Sequence, residues 1–232
     1  MARSRRGDRF HEIQDAALRV FAHRGLRRAR MADVAREMRV SPGTLYNYFE
    51  SKEALFHSIV ERGAAAAPPS APRVLPVPTP APGDTERRLR EQLAASLRLR
   101  SLEAALARQR VADPRAELEA ILDEFWELVA RTRATIGVLE RSALDLPEIY
   151  EVWFSGARRT FFAKLARYVK RRAGSGHFRP TADPAIAARC LAETVVYFAR
   201  HRHGDADPAL LPDDDAIRKV VVPMLVASLV PD

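Results

Sequence analysis

Cysteine is nearly absent: Cys190 is the only one in 232 residues. No intrachain disulfide is possible, and no paired-cysteine zinc spacing exists. Glycine is also scarce, with ten residues. None of them builds a phosphate-cradling loop, and no Gly-x-Ser-x-Gly elbow is present. The longest apolar run, Val220 to Pro231, is too short to span a bilayer and is interrupted by Pro223. Met1 to Phe10 has charge but no apolar h-region, so no secretory signal is expected. Neither strand-period alternation nor an internal repeat stands out. His201-Arg202-His203 with Asp205 and Asp207 is the single His/Asp cluster. Alternate histidines point apart on a helix, so no metal site is expected there, and no cofactor either. These absences argue against an enzyme and for a soluble, cytoplasmic protein.

What is present is basic charge and helical patterning. Lys and Arg number 38 against 30 Asp and Glu, a net charge of +8. Residues 1–66 hold 13 basic and 8 acidic residues, so the excess is densest at the N-terminus. Such a balance favours an anionic partner, most often nucleic acid. Apolar residues at 10, 13, 17, 20 and 21 mark one face of a first helix, with Gly25 placed to stop it. Met31, Val34, Ala35 and Met38 predict a short second helix. Ser41-Pro42 is a start signal for a third, spanning Pro42 to Phe49, with Leu45, Tyr48 and Phe49 inward. Ser51 begins a fourth. Prolines then crowd between Pro68 and Pro82, which predicts an extended, semi-rigid linker over 67–83. It divides an N-terminal module, 1–66, from a helical domain, 84–232.

Two short helices joined by a tight turn, under a supporting first helix, form a helix-turn-helix, whose second member enters the major groove. Here Gly43 lets the backbone approach the bases. Asn47 is suited to a base edge, and Thr44 or Tyr46 to a thymine methyl or a phosphate. Lys52, at the start of the fourth helix, is placed to hold a phosphate. The competing reading is a plain three-helix bundle with Tyr46 and Tyr48 in its core. Gly43 counts against it, because a mid-helix glycine costs about 1 kcal/mol unless something must come close.

Residues 10–62 resemble the tetracycline-repressor (TetR) family. The stretch from Met31 to Phe56 carries its signature, above all Gly43-Thr44-Leu45-Tyr46-x-Tyr48-Phe49 followed by Ser51-Lys52-Glu53. The resemblance implies an all-α fold of nine or ten helices. A three-helix N-terminal helix-turn-helix domain would be followed by a ligand-sensing and dimerisation domain, with repression released by a small molecule. It implies DNA contacts at Thr44, Tyr46, Asn47, Tyr48 and Lys52; Arg30, Ser41, Pro42 and Gly43 complete the expected surface. Two positions depart from the family pattern. Arg39 stands where a turn glycine is usual, at a cost of roughly 1–2 kcal/mol if φ is positive. Arg30 stands where a capping Ser or Thr is usual; it cannot cap, but its guanidinium suits a phosphate.

The rest of the chain reads as helices opened by Asp113-Pro114, Leu146-Pro147, Asp183-Pro184 and Asp213, with a separate short one near Thr132 to Ser142. The last two are apolar on two sides, which predicts a four-helix dimer interface. Its expected residues are Ile186, Cys190, Ile217, Val220, Val221, Met224 and Leu225. A homodimer suits a palindromic operator with half-sites about 34–36 Å apart. Pro223 is expected to kink the last helix. An effector pocket, small and largely apolar, is expected among Phe125, Trp126, Tyr150, Trp153, Phe154, Phe161 and Tyr197, with Arg141, Glu193 or Arg189 as polar anchors. The alternative is a constitutive DNA-binding protein whose C-terminal domain only dimerises.

Overall fold

A computed structural model describes residues 2–63, 70–204 and 213–231, with side chains from residue 7 onward. It is all-helical, with ten helices among these residues. They are α1 (Ala2–Arg28), α2 (Met31–Glu37), α3 (Pro42–Tyr46), α4 (Lys52–Arg62), α5 (Asp84–Ser96), α6 (Arg100–Ala107) and α7 (Pro114–Ala143). There follow α8 (147–174), α9 (Pro184–Ala199) and α10 (Asp214–Leu229). Within α8, Glu151–Arg158 winds as a π-helix, and a 3-10 turn, His201–Gly204, follows α9.

Most expected starts carry real caps. The carboxylates of Asp113, Asp183 and Asp213 accept from backbone N–H groups of the first turns of α7, α9 and α10. Ser51 does the same for α4, accepting from Ala54 at 3.1 Å. Each such cap contributes about 1 kcal/mol. Ser41 is different. Its side chain makes no cap bond; its hydroxyl instead meets that of Thr44 at 3.1 Å. The short helix expected near residues 132–142 is the second half of α7, which runs unbroken for 30 residues. Thr132 satisfies its hydroxyl on the Leu128 carbonyl one turn back, 2.7 Å away, so nothing interrupts the helix. Likewise α10 continues past Pro223 to Leu229, with Pro223 on its exposed side.

The chain divides into two compact units. One is residues 1–95 with 134–157, the other 96–133 with 158–232. These bounds differ from the expected 1–66, 67–83 and 84–232. The 66/67 border lies outside the described residues, and residues 70–83 are part of the first unit. In that unit α1 supplies Phe10, Ile13, Ala17 and Phe21 to a core shared with Val34, Leu45, Phe49, Leu55, Phe56 and Ile59. Phe10 stacks on Phe49, centroids 4.9 Å apart, and Phe21 meets Phe56 edge-on. Burial of each such ring contributes about 1.5–3 kcal/mol. Gln14 links α1 to α4 by donating to the carbonyl and hydroxyl of Ser58. Gly25, at φ 72°, breaks the helical path of α1. The turn after it is held by α7: Leu26 N–H donates to the Ser142 hydroxyl at 3.1 Å, and Arg28 pairs with Asp145.

The second unit has its own core, from Leu118, Ile121, Leu122, Leu165, Leu191, Val195, Val222 and Val226. At its centre lies Arg172, fully buried. Its Nε and Nη2 donate to the two oxygens of Glu117 at 2.7 and 3.0 Å, and Nη2 also donates to the Ala105 carbonyl. The nearby Tyr168 hydroxyl is held far above its ordinary pKa by burial and by the Glu117 carboxylate.

Candidate nucleic-acid interface

Helix α3 buries one side and presents the other. Leu45 and the following Phe49 are fully buried, while Ser41, Pro42, Gly43, Tyr46 and Asn47 are exposed and Thr44 and Tyr48 half-buried. The α-helical part is five residues long, shorter than the expected Pro42 to Phe49. Tyr48 and Phe49 continue it as a turn, both donating N–H to the Leu45 carbonyl. Tyr46 is 49% exposed, which removes the competing bundle in which it would be core. Gly43 is the most informative position. A methyl group there would meet only Ser41 Oγ, at 3.9 Å, and its φ is not in the left-handed region. Neither packing nor backbone conformation asks for glycine, so its helix penalty of about 1 kcal/mol has no return inside the described residues. What glycine does leave is a bare strip of backbone on an exposed face, suited to a close-fitting partner.

Around this face the chain places basic groups and the means to orient them. Arg30 is exposed at the start of α2. As expected it does not cap with its side chain; the other half of a capping box is present, with the Arg30 N–H donating to Asp33 Oδ2 at 3.0 Å. Burial works against ionisation of Asp33. The Arg30 N–H and the guanidinium groups of Arg24 and Arg36 outweigh it and hold the carboxyl below the usual carboxylate range. Arg39 is exposed at φ 56°, the sole non-glycine residue with positive φ among those described. It therefore occupies the turn conformation that glycine usually fills. Lys52 is half-buried, its ammonium donating to the Arg27 carbonyl at 3.3 Å. One of its three donors is thus spent on fixing its position.

The proline-rich segment does not leave this module as a spacer. Val77 pairs with residues 48–50 as an isolated parallel β-bridge to Phe49: its N–H donates to Tyr48 O at 2.8 Å, and its carbonyl accepts from Glu50 N–H at 3.0 Å. Thr79 adds an N–H to Glu50 Oε2 and a hydroxyl contact with Ser51, the α4 cap. Composition alone hides this, because the bonds are mostly main chain to main chain.

The other expected sites are placed as follows. Of the seven interface residues, Ile186, Cys190, Val220 and Met224 are exposed on α9 and α10, joined by Tyr197 and Pro223. Ile217, Val221 and Leu225 belong instead to the protomer's own core. Both sides of α10 are apolar, so periodicity alone does not choose between them. The pocket candidates fall in both units. Arg141, Tyr150, Trp153 and Phe154 lie in the first; Phe125, Trp126, Phe161, Glu193 and Tyr197 in the second. Phe125 stacks on Phe161 at 4.7 Å, and with Trp126 both are core. Tyr150 and Tyr197 are nearly half exposed, so they wall no closed cavity by themselves. Arg141 donates to the His23 carbonyl and holds α1. Glu193 pairs with Arg158 and Arg189, whose guanidinium groups cover Phe162. Trp153 is buried with no partner for its indole N–H among the described residues, as are Tyr168 OH and Arg172 Nη1. Arg172 falls on the apolar face of α8 after Leu165 and Tyr168, a signal that sequence reading passed over. His203 contacts Asp214; Asp205 and Asp207 lie outside the described residues. No metal-binding group is present among those described, nor a helix long and apolar enough to cross a membrane.

Comparison with known proteins places this geometry. Residues 13–59 match the family described as bacterial regulatory proteins, tetR family. The transcriptional repressor KstR2 of Rhodococcus jostii is 25% identical over 185 residues, covering 79% of this chain and 74% of that one. The structure of the ketosteroid transcriptional regulator KstR2 of Mycobacterium tuberculosis superimposes with a TM-score of 0.62 at 16% identity, over 97% and 96% of the two chains. That of AibR in complex with isovaleryl coenzyme A and operator DNA gives 0.53 at 20%, over 94% and 98%.

Proposed function

Because residues 13–59 match the family of bacterial regulatory proteins, tetR family, we propose that the chain is a homodimeric, DNA-binding repressor of a palindromic operator, released by a small, largely apolar effector. It is not an enzyme on this reading. The observation that carries the DNA half is Gly43, a glycine the protein's own packing does not need, on the exposed side of a helix whose other side is fully buried. Gly43, Thr44, Tyr46 and Asn47 approach base edges in the major groove. Arg30, Ser41, Tyr48 and Lys52 hold flanking phosphates and fix the register, with the Pro42 ring packed beside them. The module of residues 1–66 reads DNA, and residues 84–232 dimerise and sense.

Dimerisation uses the exposed apolar stripes of α9 and α10, Ile186 with Cys190 and Val220 with Met224. The effector binds among the aromatic helices. The unpartnered indole N–H of Trp153 supports a ligand bearing a hydrogen-bond acceptor. Isovaleryl coenzyme A, bound in the AibR structure, supplies one class to try: coenzyme A thioesters, of which only the short acyl end would meet the small, largely apolar requirement. Release follows if the effector favours a dimer whose reading helices no longer match the half-site spacing.

Selection of bound sequences from random DNA, repeated with acyl thioesters present, tests both halves. A palindrome should emerge, and an effector should lower affinity for it. Gly43→Ala should raise stability by up to about 1 kcal/mol while weakening binding to that palindrome at least tenfold. Unchanged affinity would remove Gly43 from the interface.

A further inference from the structure

From Pro76 to Pro82 every second residue is proline: Pro76, Pro78, Pro80 and Pro82 alternate with Val77, Thr79 and Ala81. Proline has no N–H and a fixed φ. In this stretch the donors are therefore those of Val77, Thr79 and Ala81. The first two are spent on one target. Val77 donates to the Tyr48 carbonyl at 2.8 Å and Thr79 to the Glu50 carboxylate at 2.9 Å, while Val77 O accepts from Glu50 N–H at 3.0 Å. The Thr79 hydroxyl lies 2.8 Å from that of Ser51, whose oxygen also accepts the Ala54 N–H at the start of α4. A plain spacer has no use for donors so placed. Alternating prolines also narrow the conformations open to the unbound segment, so docking costs less entropy than for an ordinary loop.

The docked segment, residues 48–51, is the connection between α3 and α4. It begins at Tyr48 and is followed at once by Lys52, the two groups assigned to phosphate on the reading above, on which this inference rests. We infer that the alternating-proline strap is a positioning element for DNA reading. Val77 and Thr79 brace the α3–α4 connection from its open edge, as a one-rung β-pair, and so fix where Tyr48 and Lys52 present their donors. The strap does not itself read bases. Phosphate contacts set register and orientation, so a brace on them acts on affinity and salt dependence together.

The experiment uses the full chain and the DNA consensus that the wild type selects from a random pool. Val77→Pro removes the N–H that donates to the Tyr48 carbonyl; Val77→Ala keeps the backbone bonds and trims only the side chain. Affinity is measured between 50 and 200 mM salt, well below each variant's unfolding temperature. Val77→Pro should bind about tenfold more weakly, with a salt slope lowered by 1 to 2 through lost phosphate contacts. Val77→Ala should bind as the wild type. Thr79→Val, which keeps the N–H and removes the hydroxyl, should weaken binding by a few-fold. It covers the case in which Val77→Pro fails to fold. If the salt slope is unchanged in every folded variant, or if Val77→Ala loses as much as Val77→Pro, the inference is overturned while DNA reading stands. A wild type that enriches no sequence overturns both.

Discussion

Arg39 holds a conformation that costs a non-glycine residue roughly 1–2 kcal/mol, and it does so in the turn that sets α3 against α2. Arg39→Gly relieves that strain but adds glycine's extra unfolded-state freedom, worth about 0.5–1 kcal/mol. The net should be a gain of up to about 1.5 kcal/mol, read as a higher urea midpoint at unchanged slope. Keeping arginine against this gradient favours a task for its charge on the exposed side. The same variant should therefore bind DNA more weakly at low salt. Asp33 makes the opposite kind of contribution. Its carboxyl is held low in the folded chain, so its stabilisation is complete above the unfolded value near 3.9 and is lost as pH falls through the folded one. Asp33→Asn should be less stable than wild type at pH 6. The two should converge as pH falls through the lowered carboxyl value of the folded chain, which denaturation at several pH values would show.

Helix boundaries were legible wherever a side chain makes them. Asp113, Asp183 and Asp213 each announce a start and each accepts the N–H it promised. What was hidden is whatever the main chain does without a side-chain signature. Examples are the strap's bonds to residues 48–50 and the unbroken course of α7 through polar Arg131-Thr132-Arg133. The exposed and buried sides of α10 were hidden for another reason: Ile217 and Val220 are equally apolar, and only packing separates them. The exposed side of α3, proposed above to face DNA, was readable because small and polar types there stand against the buried Leu45 and Phe49. The junction of α1 and α7 gives an element-scale test. Gly25 has φ 72°, and a methyl group would meet the Arg141 carbonyl at 3.1 Å. Gly25→Ala should cost about 2 kcal/mol from strain and crowding together. Gly7→Ala, where nothing lies within 4 Å, should be neutral or stabilising by up to about 1 kcal/mol. Parallel thermal melts would separate the two.

At the scale of the whole molecule, the second unit carries large apolar side chains that its own core does not cover. Ile186, Val220 and Met224 are each more than half exposed, on two consecutive helices. Paired with a second copy, they would lie in a two-fold interface. A double variant, Val220→Glu with Met224→Glu, changes only exposed positions. It should leave helix content intact while sedimentation shows a species of half the wild-type mass. Binding to a two-half-site palindrome should fall by at least a hundredfold, with single half-sites bound as before. A wild type that sediments as a monomer at micromolar concentration would place the interface elsewhere.

If two copies pair along that seam as proposed, it ties gene dosage to control. Below the concentration at which chains pair, the number of molecules able to sit on both halves of an operator grows with the square of the amount synthesised. Halving expression then leaves about a quarter of the silencing capacity, and a modest rise restores it steeply. A target promoter would open and close over a narrow range of protein supply, a threshold set by a few water-facing aliphatic carbons.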